Sequence, residues 1–210
     1  MARLDTDQII SAAWKVVDQG GIAAFTIRNV ADELGASPMA IYHHVPNKAA
    51  LATLMVEAAN DERPLAQPTG DWREDLWLQA RWLRDTRKAH PAISQLHRGY
   101  RVWTPGLLRI TERWVNSWQH SGLVLNQALI AARVSSQAIV GMVDEEASYE
   151  GEDPPSDELL AGAASVRTMF EKDHCQDSLF ELAVRSIIDG LYVRLTDERV
   201  GLKQAATQTR

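Results

Sequence analysis

The 210-residue sequence predicts an all-α protein built as a small N-terminal helical domain followed by a larger helical one. Three observations carry this. Apolar residues recur at helical spacing along nearly the whole chain. No run of alternating apolar and polar residues bounded by turns marks a strand. Glycine, proline and short polar residues fall where helices need caps and stops, as at Gly20-Gly21, Gly35, Ser37-Pro38 and Val45-Pro46-Asn47.

The first helix is expected from Asp5 or Thr6 to about Gln19. Ile9, Ala12, Ala13, Val16 and Val17 form its inner face, Trp14 lies on the flank, and Gly20-Gly21 is the stop. Thr26 is the expected N-cap of a second helix that turns Val30, Ala31 and Leu34 inward. Gly35 ends it, where a left-handed residue is needed. Ser37 then caps a very short third helix with Pro38 at its first position, where proline costs no hydrogen bond. Pro46 forces Val45 out of the helical region, and Asn47 caps a fourth helix through Leu51, Leu54, Met55 and Ala58. Two short helices joined by a glycine turn, with support helices around them, describe a helix-turn-helix.

Pro64 to Gly70 is rich in helix breakers and reads as a hinge. The breakers therefore predict a helix-turn-helix domain at 1–63, a hinge at 64–70, a larger helical domain at 71–200 and a frayed tail at 201–210. In the larger domain, helices are expected at 71–90, from Pro91 to about Arg98, at 105–120 with Thr104 as cap, at 124–147, at 157–172 and at 177–196. The anions Asp144, Glu145, Glu146, Glu150, Glu152, Asp153, Asp157 and Glu158, interrupted by Pro154-Pro155, predict a mobile acidic loop.

Composition bounds the function. No apolar run approaches the ~20 residues that span a membrane, and Met1-Ala2-Arg3-Leu4-Asp5 contains no apolar signal core, so a cytoplasmic location is expected. Cys175 is the only cysteine, which excludes an internal disulfide and a cysteine metal cluster. The single histidines show no ligand spacing, so no metal or cofactor is expected. No nucleophile elbow, phosphate loop or zinc signature supports an enzyme. The net charge of −6 provides no basic field for nucleic acid, and the first 50 residues carry four cations against five anions. DNA contact must then come from a few placed groups, helix N-termini and backbone amides.

The short third helix supplies such groups. It is expected to present Ser37, Pro38, Met39, Ala40, Tyr42 and His43, with Ile41 turned back into the core. Ala40 and the Tyr42 ring suit thymine methyls and sugar carbons. The Tyr42 hydroxyl and His43 suit phosphates or base edges. Thr26, Arg28 and Lys48 stand near helix starts, where each can meet a phosphate.

Over residues 9–56 the sequence resembles the tetracycline-repressor (TetR) family of bacterial transcription regulators. The resemblance rests on Ile9, Ala12, Ala13, Gly20-Gly21, Phe25-Thr26, Val30-Ala31, Leu34-Gly35, Ser37-Pro38, Ile41-Tyr42, His44-Val45, Asn47-Lys48 and Leu51. Past residue 66 it is one of architecture only. It implies that Thr26, Arg28, Tyr42 and Lys48 contact phosphates and that residues 37–43 form the recognition helix. It also implies a homodimer on a palindromic double-stranded operator, released by a small-molecule effector. A helical ligand-binding module that has lost DNA binding is the alternative.

Six of seven tryptophans follow the hinge. Their helical spacing fits core packing. It also fits a wide apolar pocket for a planar or greasy ligand, lined by Trp72, Trp77, Trp82, His97, Tyr100, Trp103, Leu107, Thr111, Trp114, Trp118, Ser136 and Ile139. For the dimer, the small residues Ala128, Ala131, Ala132, Ser135, Ser136, Ala138 and Gly141 are expected to let a partner helix approach. The last helix adds Phe180, Val184, Ile187 and Leu191 on one face, and Leu179, Ala183, Ser186 and Gly190 beside it.

Overall fold

A computed structural model describes residues 4–149, 155–171 and 176–197. Among these residues all regular structure is helical. In chain order the helices are α1 (Thr6–Ala24), α2 (Ile27–Glu33), α3 (Pro38–Tyr42), α4 (Lys48–Asp61), α5 (Trp72–Ala89), α6 (Ile93–Tyr100), α7 (Pro105–His120), α8 (Leu125–Tyr149), α9 (Ala164–Glu171) and α10 (Gln176–Thr196). The expected tail at 201–210, the acidic residues Glu150, Glu152 and Asp153, and Cys175 lie outside the described residues.

The helix starts follow their predicted caps. Asp5 caps α1 through a reciprocal pair: its carboxylate accepts from the Gln8 amide at 2.8 Å, and the Gln8 side chain accepts from the Asp5 amide at 3.1 Å. Thr26, Ser37 and Asn47 accept from the amides three residues on, at 3.1, 3.2 and 2.8 Å. Thr104 does the same for Leu107 at the start of α7 (3.0 Å). Gly35 takes φ 60° and closes α2, with Ala36 donating to the Ala31 carbonyl and Gly35 to that of Asp32. Gly21, at φ 67° and ψ −175°, breaks α1 where the stop was expected, although one further turn to Ala24 follows.

The chain forms two compact units. The first comprises residues 1–67 and 81–114, and the second residues 68–80 and 115–210. In the first, Ile9, Ala13, Phe25, Val30, Ile41, Leu51 and Met55 are completely buried together with Leu96 of α6. This core fixes the angle between α2 and α3. Trp14, expected on a flank, is buried as well, its ring 4.3 Å from that of His90.

In the second unit α8 packs on α10. Here the structure refines three expectations. Asp144, Glu145 and Glu146, counted with the acidic loop, belong to α8 as its expected span of 124–147 already implied, because Ile139 and Val143 continue its buried face into the acidic stretch. Residues 157–162 form turns, and Gly162 at φ 90° delays the next helix until Ala164. Of the small residues, Ala128, Ala131, Ala132 and Ser135 are buried in their own unit, whereas Ser136 and Ala138 are half-buried and Gly141, like Leu125 and Leu129, is exposed. The four buried side chains serve close packing within the chain.

The segment 64–70 contains no helix, but its end is ordered. The buried Asp75 carboxylate accepts from the Thr69 amide at 2.6 Å and from its hydroxyl at 2.9 Å. Asp71 caps α5 by accepting from the Arg73 amide at 2.9 Å.

Candidate functional site

Helix α3 has five residues and one anchor. Ile41 is fully buried, whereas Met39 is 65% and Tyr42 46% exposed. Pro38 and His43 are also exposed, and Ala40 is half-buried. An isolated helix this short is unstable in water. It exists because Ser37 caps one end, Ile41 plugs it into the core, and Val45 pins the chain that follows. The outward side chains are therefore held on a rigid support without being used by it.

Thr26 sits at the N-cap of α2, where its oxygen accepts from Asn29, leaving the hydroxyl proton for an external acceptor such as a phosphate. Arg28 is highly exposed and paired loosely with Asp32 at 3.9 Å. The Lys48 ammonium lies 5.0 Å from the centroid of the Phe25 ring and 5.6 Å from that of Tyr100. The group around α2–α4 thus offers one hydroxyl cap, two cations, a phenol and an imidazole with little competing pairing.

The proposed effector residues divide between the two units. In the first, Trp82 donates its indole N–H to the Arg63 carbonyl at 2.7 Å. It helps to line a cleft of about 330 Å³ with Pro64, Leu65, Arg109 and Ile110. Asp61 faces Arg109 there at 3.8 Å. The charged members Asp61, Arg63 and Arg109 were not anticipated; the proline break at 64, which folds the chain back beside α7, was the available signal. Trp114 is buried, Leu107 half-buried, and Thr111 is exposed with its hydroxyl donating to the Leu107 carbonyl at 2.9 Å. Trp103 stands on the surface at 65% exposure, with the half-buried His97 ring 6.4 Å away. Burial pushes the His97 pKa below its usual value, helped by the Arg87 and Arg98 cations.

In the second unit Trp72 packs against Trp118 (5.7 Å) and Tyr192 (5.0 Å), and Trp77 against Phe180 (5.9 Å). Trp118 is fully buried and donates to the Ser135 hydroxyl at 3.2 Å. Arg73 and Arg185 stack on the Trp72 and Trp77 rings. Ile139 is buried, and the Ser136 hydroxyl donates to the Arg133 carbonyl at 3.1 Å. These rings meet one another, so core packing accounts for much of the tryptophan content here.

Residues 9–55 match the family model of bacterial regulatory proteins of the tetR family, and residues 63–195 match that of the tetracyclin repressor-like C-terminal domain. The chain belongs to the TetR family. The likeness therefore runs well past residue 66, where the sequence motifs alone left only architecture. TetR-family relatives include a tetracycline repressor protein of class A from Escherichia coli, 28% identical over 206 residues and covering 92% of this chain and 93% of that protein. The transcriptional repressor DrrR1 of Streptomyces coeruleorubidus is 24% identical and covers 93% and 80%. The crystal structure of TetR from Acinetobacter baumannii AYE superposes with a TM-score of 0.68 at 26% identity, covering 89% of this chain and 96% of that one. This TetR-family chain is a ligand-responsive, DNA-binding transcriptional repressor.

Proposed function

We propose that two copies of the chain bind a palindromic operator in double-stranded DNA and leave it when each takes up a small aromatic or apolar effector. The observation that carries the proposal is α3: Ile41 is buried, and its neighbours Met39 and Tyr42 are displayed. In this reading Ser37, Pro38, Met39, Ala40, Tyr42 and His43 enter the major groove. Thr26, Arg28, Tyr42 and Lys48 hold the phosphates on either side. One five-residue helix makes too few contacts for a specific complex, so a homodimer with heads about 34 Å apart supplies the second half-site. The exposed stripe Leu179, Leu182, Ser186, Gly190 and Val193 on α10 supports a partner surface. The chain works where its DNA is, in the cytoplasm; no described helix is long and apolar enough to cross a membrane.

Residues 1–63 act as the reading head and 71–200 as the sensing and dimerising part, with 64–70 between them. The cleft beside Trp82 supports the sensing role, because Trp82, Ile110, Leu65 and Pro64 offer an apolar wall and Asp61 and Arg109 offer polar points. The relatives named for tetracycline favour a planar, multi-ring ligand. Such a ligand acts by preferring the conformation whose heads are wrongly spaced for DNA. The test is a library of aromatic compounds screened by tryptophan fluorescence and by release of the protein–operator complex. A compound that both quenches and releases supports the reading, and loss of both effects in Trp82→Ala ties it to the cleft. Compounds that quench without ever releasing the complex contradict it.

A further inference from the structure

Lys48 is set against two aromatic rings. It is the first residue of α4, and its ammonium sits near the faces of two rings, Phe25 at 5.0 Å and Tyr100 at 5.6 Å. The rings are themselves packed edge to face, 6.0 Å apart. Phe25 is completely buried, and Tyr100 and Lys48 are half-buried. Two ring faces and partial desolvation are the conditions under which a cation–π contact is strongest.

We infer that Tyr100, together with Phe25, is a positioning residue for Lys48 and sets how strongly the reading head holds operator phosphate. The inference rests on the proposed role of Lys48 as a phosphate contact. A free lysine gives up much rotamer freedom when it binds. One already held against two rings gives up less, so the phosphate contact becomes tighter. The attraction to a ring face is not a hydrogen bond to a fixed acceptor, and the ammonium carries three donors. A phosphate oxygen can therefore be added without losing the rings.

The experiment is a double-mutant cycle on the full-length protein, using the DNA flanking its own gene and binding measured by fluorescence anisotropy at several salt concentrations. Tyr100→Met should weaken binding about three- to tenfold, while Tyr100→Phe keeps the ring and the affinity. Lys48→Met should weaken binding and reduce the salt slope by about 0.9 for each Lys48 engaged. In the Lys48→Met background, Tyr100→Met should change nothing further. An unchanged affinity in Tyr100→Met, or an equal loss in both backgrounds, overturns the inference. A readout independent of DNA is the Lys48 side-chain methylene protons by NMR. Ring currents should shift them upfield in the wild type, and Tyr100→Met should abolish much of that shift; positions typical of an exposed lysine in the wild type overturn it. If the wild type forms no salt-sensitive complex with any duplex, the repressor reading itself fails. If it binds and the cycle is additive, only the role of Tyr100 fails.

Discussion

Ile41 and Tyr42 are adjacent in sequence and opposite in consequence. Ile41 has no exposed surface, whereas nearly half of Tyr42 faces water. Ile41→Ala should cost about 2–5 kcal/mol of stability through the cavity it leaves. Tyr42→Ala should alter the melting temperature little and remove operator binding. Thermal melts and gel shifts on both variants check this; a large stability loss in Tyr42→Ala would make Tyr42 a core residue. His97 offers a second test at this scale. Its folded-state pKa is lowered by burial and then by Arg87 and Arg98, so the unfolded chain takes up the proton more readily. The sign follows: stability from this group is complete above the unfolded value of about 6.5 and is lost as pH falls from there toward the folded value. His97→Phe should flatten the dependence of melting temperature on pH in that acidic range. An unchanged slope would assign the dependence to other groups.

Among the elements, the joint between α4 and α7 makes its own prediction. The Glu57 carboxylate accepts from the Gly106 amide at 3.0 Å, in the first turn of α7, where a negative charge is favoured. A methyl group on residue 106 would lie 2.7 and 2.9 Å from the two carboxylate oxygens. Gly106→Ala should therefore push Glu57 aside and cost about 1–2 kcal/mol, the worth of a charge-assisted bond less the gain in helix propensity. In a Glu57→Ala background the same change should be neutral or stabilising. Denaturant melts of the four proteins measure it, and equal effects in both backgrounds would refute the joint. The elements also show what was legible. Caps at Asp5, Thr26, Ser37, Asn47 and Thr104 were readable because a cap is a bond to an amide three residues away. The start of α9 was not, because helical spacing from residue 157 pointed to a longer helix while Gly162 at φ 90° decided otherwise. The tryptophan partners were unreadable for a related reason: Trp72 finds Tyr192, and Trp77 finds Phe180, more than a hundred positions along the chain. Helical spacing assigns a face and leaves its partner open.

At the scale of the molecule, charge and surface make the same demand. The net charge is −6, and the first 50 residues have an anion in excess, so general attraction to DNA is weak. On the proposed reading, binding rests on two heads held at a fixed spacing. Leu182, 66% exposed at the middle of the α10 stripe, tests that requirement. Leu182→Arg should convert a dimer to monomers in sedimentation velocity while leaving the helical spectrum intact, and should weaken operator binding by more than tenfold because the second half-site is lost. A variant that remains dimeric would move the interface elsewhere. The most direct measurement is a footprint of the wild-type protein on the DNA flanking its own gene, beside Tyr42→Ala. Protection of two half-sites about one helical turn apart, lost in Tyr42→Ala, is the predicted result. No protection at low salt, or uniform protection of any duplex by both proteins, would contradict it.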